Sequence, residues 1–324
     1  MLIKGIHHVS AITAKAKENY DFYTNLLGLR LVKKSVNQDD PTVYHLFYAD
    51  KIGNPGTDFT FFEIPHAGRT IHGVSSISTT SLRVPNDTAL TYWKNRFQQH
   101  GIDHDSITEQ GNRKVIPFRD PEGQRLILIS DENNTGVLGG TPWEHSPVPA
   151  QYAIIGLGPV TLTVHDATPT VAILTNVLTF KEGTNYPSSH SKQKDIRVFS
   201  TGEGGAGAEV HLEERTDLPR ERLGRGGVHH VAFRVEDDTE LLKWHARLQE
   251  VRIPNSGIVD RYYFKALYFR EPNGILFELS TDGPGFTTDE DVNHLGETLA
   301  LPPFLEDRRS EIEAKLTPLH TKRD

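Results

Sequence analysis

The sequence predicts an α+β chain of four βαβββ modules arranged as two halves of related sequence. Three observations carry this. Residues 79–130 and 230–281 align without a gap when 151 is added to each number: Trp93 falls on Trp244, Ile102 on Ile253, and Phe118–Gly123 on Phe269–Gly274. The same offset serves the other two quarters, taking Gly5 to Gly156, Val9 to Val160, Asn25 to Asn176 and Leu27 to Leu178. Each quarter also opens with an alternating strand, passes into a stretch with an apolar stripe at helical spacing, and ends in further strand-like runs. One coincidence would mean little, but a single offset that relates both pairs of quarters indicates an internal duplication.

In chain order, the first module covers about 1–65, where Tyr20, Tyr23 and Leu27 form a helix stripe closed by Gly28. The second covers about 75–131, with Asn86 and Asp87 as N-cap candidates, Leu90, Trp93 and Phe97 on one face, and Gly101 as the stop. Together they form a half over 1–131, followed by a Gly/Pro-rich connector over 132–151. The second half, 152–283, holds modules at about 152–214 and 226–281, the last with Asp237–Thr239 ahead of a helix carrying Leu241, Trp244 and Leu248. Strands are expected at Val43–Tyr48, Asp58–Ile64, Lys114–Phe118, Arg125–Ser130, Ile196–Ser200, Glu209–Leu212 and Ala266–Phe269. Residues 284–324 lie outside the repeat. There Pro302 and Pro303 introduce a charged helix over about 304–316 that should pack across a surface or a cavity mouth. The aromatic stripes read as core, since helical spacing alone accounts for them.

Composition narrows the function. A net charge of -8 argues against a nucleic-acid footprint. No apolar run approaches a membrane span, and the first residues lack a signal-peptide pattern, so a cytoplasmic protein is expected. With no cysteine and 16 histidines, any metal must be held by His, Asp or Glu. Gly202–Gly207 spells G-x-G-x-x-G but precedes a strand, so it reads as a hairpin and not as a phosphate loop. Leu218–Arg225 is a basic connection.

The repeat turns the search for ligands into a comparison. His230 on the fourth module's first strand corresponds to Thr79, His8 and Pro159; Glu278 on its last strand corresponds to Ile127, Thr60 and His211. A single histidine on an apolar strand is more often a hydrogen-bonded core residue than a ligand. Two matching histidines and a carboxylate on an otherwise apolar strand are harder to explain that way, because a buried carboxylate needs a charge partner. His8, His230 and Glu278 form a 2-His-1-carboxylate set, which leaves open positions on a metal and favours non-haem Fe(II). His7 and His229 have the opposite strand phase and should not bind the same ion.

These residues resemble the vicinal oxygen chelate superfamily, whose βαβββ modules pair into open β-barrel cups. The stretches GIHHV at 5–9, GVHHVAFRV at 227–235, DRYYFKALYFREPNGILFEL at 260–279, TDGPGFTTDED at 281–291 and LPPFLEDRRSEIE at 301–313 are similar to the ring-cleaving hydroquinone dioxygenases within it. The resemblance implies His8, His230 and Glu278 as iron ligands, Fe(II) as cofactor (with Mn(II) or another divalent ion in the isolated protein), and an aromatic diol with O2 as substrates. It further implies substrate-side or catalytic roles for Arg261, Tyr268 and His229, and positions near the metal for His7 and Ser10. Collecting the set in one cup requires module one to pair with module four. Exchange of modules between subunits of a homo-oligomer is the competing arrangement. Two rivals use the same scaffold: a glyoxalase-like lyase or isomerase, which wants a fourth ligand for which Glu63 is one residue out of phase, and a metal-free binding protein.

Overall fold

The computed structural model describes residues 1–190 and 193–323. Module one runs β1 (Ile6–Thr13), α1 (Ala16–Asp21), β2 (Arg30–Val36), β3 (Tyr44–Ala49) and β4 (Asp58–Glu63). Module two runs β5 (Ser76–Val84), α2 (Asp87–Gln99), β6 (Thr108–Gln110), β7 (Arg113–Arg119) and β8 (Arg125–Ser130). Module three runs β9 (Gly156–Val164), α3 (Ala167–Ala172), β10 (Lys181–Glu182), β11 (Arg197–Ser200) and β12 (Glu209–Glu214). Module four runs β13 (Gly227–Val235), α4 (Asp238–Glu250), β14 (Asn255–Asp260), β15 (Phe264–Arg270) and β16 (Leu276–Pro284). The four βαβββ units read from the sequence are present.

They form two eight-stranded mixed sheets, β14-β15-β16-β13-β1-β4-β3-β2 and β10-β11-β12-β9-β5-β8-β7-β6. Module one therefore shares a sheet with module four, joined through antiparallel β1 and β13, and module two shares one with module three through β5 and β9. Within each module the first and last strands run parallel, with Ser10 opposite Thr60, Ser81 opposite Ile127, Thr161 opposite His211 and Ala232 opposite Glu278. That register makes Thr60, Ile127, His211 and Glu278 true positional equivalents.

Asn86 and Asp237 cap α2 and α4, each accepting from the amide three residues on. Tyr23, Trp93, Phe97, Leu241, Trp244 and Leu248 are buried, as expected of core stripes. Helices α1 and α3 depart from the simple helix expected. Each passes into a π-helical turn, Phe22–Leu26 and Ile173–Val177. Thr24 Oγ1 donates to the Tyr20 carbonyl at 2.6 Å and Thr175 Oγ1 to that of Val171 at 2.9 Å. A threonine occupying the carbonyl four residues back leaves the ladder to widen, and Leu27 N–H reaches Phe22 O instead.

The halves meet at two reciprocal glycine contacts. Gly5 and Gly156 adopt φ of +131° and +145°. A Cβ on either would lie 2.9 Å from the carbonyl oxygen of Gly207 or Gly56 respectively, so only glycine fits both the conformation and the space. The connector threads this junction, its Val137 and Leu138 carbonyls accepting from buried Arg83 and its Thr141 amide donating to Asp50. Gly202–Gly207 is the turn between β11 and β12, and the basic segment pairs with residues 69–74 through Arg220, Arg222 and Arg225.

The expected helix over 304–316 is corrected to two short helices, α5 (Pro303–Glu306) and α6 (Arg309–Glu313). The break arises because Arg308 N–H bonds Leu305 O, a tight three-residue step, while Leu305, Ile312, Leu316 and Leu319 all turn to the core. This tail docks on β2 through Ala300 N–H to Lys34 O and Lys34 Nζ to Leu319 O. Among the described residues no helix is long and apolar enough to cross a membrane.

Candidate metal centre and substrate cavity

The sheet register brings His8, His230 and Glu278 together. In one row across the sheet, His8 on β1 faces Ala232 on β13, which faces Glu278 on β16. Ala232 is a methyl-sized gap between the two larger side chains, and His230, two residues along β13, projects from the same face. The three donor atoms lie within 4.8 Å of one another and all three residues are buried. His230 Nε2 is 2.9 Å and His8 Nε2 3.3 Å from Glu278 Oε2, and the two Nε2 atoms are 3.2 Å apart.

Glu278 Oε1 accepts from Ser280 Oγ at 2.7 Å, but buried Oε2 has no hydrogen-bond partner despite its nearness to both imidazoles. An orphaned carboxylate oxygen facing two close imidazole nitrogens fits a cation, which would satisfy all three at once. Burial lowers the His230 pKa, with Glu278 opposing, so its neutral form and a free Nε2 lone pair are favoured.

Two β-bulges build the surroundings. In the pairing of β1 with β13 the register skips His7, between Ile6 and His8, and skips His229, between His230 and Val228. A bulged residue leaves the strict alternation of a strand and its side chain is re-aimed. Each extra histidine thus sits against its neighbour: His7 Nδ1 is 2.9 Å from His8 Nδ1, and His229 Nδ1 is 2.8 Å from His230 Nδ1. His7 Nε2 also bonds the Thr281 carbonyl at 3.1 Å. That contact requires a proton on Nε2. With the His7 pKa lowered to about 3, by burial first and His8 second, its Nδ1 is an acceptor and His8 Nδ1–H the donor. In the neutral His8 ring this tautomer leaves Nε2 as the lone pair that can face a cation. His229 is also lowered to about 3, by burial and then His230.

A cavity of about 400 Å³ opens beside the three residues, lined by His8, His229, His230, Arg261 and Tyr268 among mostly apolar neighbours such as Phe62 and Leu276. Tyr268 faces Glu278 across β15 and β16, and its hydroxyl accepts from Arg261 Nε at 3.1 Å. Burial, then the nearby Glu278 charge, raises its pKa, so the phenol stays protonated. Ser10 is buried behind this wall. Its hydroxyl bonds Thr60 Oγ1 at 2.7 Å, and Thr60 bonds His45 Nε2 at 2.9 Å.

Sequence comparison missed His45, which lines the cavity between the rings of Phe47 and Phe62. The signal was available, since the offset sets Ile196 against it. Gln38 and Asp39, on a loop with no periodicity, left no such signal. Glu63 lies outside the site: its Oε1 accepts from Ala16 N at 2.8 Å at the start of α1.

The description "Glyoxalase/Bleomycin resistance protein/Dioxygenase superfamily" matches the chain twice, over residues 5–128 and 156–279. The chain belongs to this superfamily. It is 56% identical over 319 residues to "Putative ring-cleaving dioxygenase MhqA" of Bacillus subtilis (strain 168), covering 98% of this chain and 100% of that one. It is 29% identical over 320 residues to the "Chlorohydroquinone/hydroquinone 1,2-dioxygenase" of Sphingobium indicum, covering 96% and 95% of the two chains. A crystal structure of a Bacillus subtilis protein titled a putative dioxygenase superposes with a TM-score of 0.88 at 33% identity, over 100% of this chain and 99% of that one. The superfamily match and the first-with-fourth sheet agree with the vicinal oxygen chelate fold expected above, and the set His8, His230, Glu278 is completed within a single chain.

Proposed function

We propose that this protein is an Fe(II)-dependent ring-cleaving dioxygenase that opens a hydroquinone-type aromatic diol with O2, catechol-type diols being the nearest alternative. The observation that carries the reading is the orphaned Glu278 Oε2 facing His8 and His230 Nε2 at the wall of a largely apolar cavity. Similarity to relatives named as ring-cleaving and hydroquinone dioxygenases supports it. Held by His8, His230 and Glu278, Fe(II) would supply a Lewis-acid and redox centre with positions left for a phenolate oxygen and O2; Mn(II) or another divalent ion is the alternative occupant of the isolated protein.

The chain's own residues bind, orient and move protons. Tyr268 receives a hydrogen bond from Arg261 and keeps its own proton, so it can donate to an oxygen at the metal face of the ring. A para diol gives the metal only one oxygen, so Arg261 has a purpose in holding the second. His229 accepts from His230 through Nδ1, so its neutral ring keeps a proton on Nε2 and can donate it toward an oxygen in the cavity that it lines. His7 fixes the tautomer and ring plane of His8, and Ser10 supports Thr60 and His45 from behind. Such supporting hydrogen bonds are worth about 10–100-fold in metal affinity. His7→Leu is therefore expected to weaken metal binding by about that factor in chelator competition. Unchanged affinity would reduce His7 to a packing residue.

The deciding experiment is O2 uptake by the Fe(II)-loaded protein with a panel of hydroquinones and catechols, substituted rings included. Uptake with loss of ring absorbance is expected. No uptake with any diol, together with turnover of a thiol adduct, would transfer the protein to the glyoxalase-like class. Thr60 at the slot matching Glu278, bonded on both sides, and Glu63 turned to α1 weigh against that outcome.

A further inference from the structure

The rim of the cavity is fastened by an ion pair and a hydrogen bond at Arg261. Arg261 follows β14, and its Nη2 donates to Asp39 Oδ2 at 2.9 Å, while Gln38 Nε2 donates to the Arg261 carbonyl at 2.8 Å. Gln38 and Asp39 lie on the loop between β2 and β3, so the fastening joins modules one and four across the opening. The other sheet has a counterpart. Gln110, which the offset of 151 matches to Arg261, bonds the Tyr186 hydroxyl, and Tyr186 bonds His211. His211 meets Glu209, which is clamped by both Arg113 nitrogens. There the equivalent positions are joined by a network that is partly buried. At the cavity rim the carboxylate is 73% exposed, against 21% for Arg261, so the fastening is open to solvent and to an incoming ligand.

Charge is the consequence. Among the described residues that line the cavity Arg261 is the one Lys or Arg, and Asp39 and Asp40 are the carboxylates at the rim. A ring carrying a carboxylate would be drawn to the guanidinium fork, but Asp39 already occupies Nη2 and cancels its charge. We propose that Asp39 is a specificity-determining residue: by neutralising Arg261 it makes the cavity reject aromatic ligands with an anionic ring substituent while accepting uncharged ones. This rests on the reading of the cavity as an aromatic-diol site.

The test is anaerobic titration of the Fe(II)-loaded protein with phenol and with 4-hydroxybenzoate, followed by calorimetry, for the native chain, Asp39→Asn and Asp39→Glu. Asp39→Asn keeps size and polarity and removes the charge. It should tighten 4-hydroxybenzoate by on the order of tenfold at low salt, with the gain shrinking as salt rises. Phenol affinity should stay within about twofold, and Asp39→Glu should restore the native discrimination. An unchanged ratio of the two affinities in Asp39→Asn, or equal shifts for both ligands, overturns the role of Asp39 alone. If neither ligand binds the native protein, the aromatic site falls and this inference with it. Selective binding without O2 uptake on any diol would defeat the dioxygenase reading and leave Asp39 as assigned.

Discussion

Glu278→Gln should yield a folded protein that no longer retains a divalent metal. The carboxylate has no exposed surface, and its Oε2 faces the His8 and His230 nitrogens without a hydrogen bond of its own. The amide is nearly the same size, so packing around it is kept. Its NH2 group can donate to a neighbouring imidazole lone pair, which satisfies the metal-free state while removing the one anionic donor. Two imidazoles then remain to hold a dication in a buried site. Loss of a supporting partner already costs about 10–100-fold in affinity, and loss of a ligand should exceed the upper end of that range. Elemental analysis after gel filtration measures it, with thermal melting as the folding control. Full metal content in this variant would remove Glu278 from the ligand set.

Arg83→Met is expected to be the most damaging change away from the cavity, and its counterpart Arg234→Met to be mild. The offset relates both residues and their partners, Asp131 and Asp282. Arg83 is 1% exposed and also donates to the carbonyls of Leu157, Val137 and Leu138. Removing it strands a buried carboxylate and three carbonyls at the junction of the halves, a loss of about 3–5 kcal/mol. Arg234 is 28% exposed, its pair with Asp282 is bidentate but wet, and truncation should cost about 0–1 kcal/mol. Denaturant unfolding of the two variants reads the difference. Equal losses would show that the pair at 234 and 282 matters as much as the buried one.

The register of the strands explains why comparison by offset worked. Parallel pairing of first and last strands inside every module keeps equivalent residues at equivalent heights, so Thr60 matches Glu278 in space as well as in sequence. The fold class and the shared sheet of modules one and four follow from that repeat together with the placement of His8, His230 and Glu278. The π-turns after α1 and α3 were not legible, because they depend on which carbonyl Thr24 and Thr175 capture. Nor was the break at Asp307 and Arg308, where buried leucines and a tight turn outweigh the helical pattern.

The sequence by itself determined the duplication, the four modules and the strand phase that puts His8, His230 and Glu278 on one face, since alternation along a strand is a local property of the chain. Only the tertiary structure decided what surrounds them. The bulges that turn His7 and His229 against their neighbours arise where β1 and β13 pair with one residue to spare on each, and the β5–β9 pairing shifts register at the equivalent places. The reach of Asp39 to Arg261 spans 222 positions and no periodicity announces it. Contacts of that kind depend on where the sheets bring distant loops, and a local pattern holds no record of them.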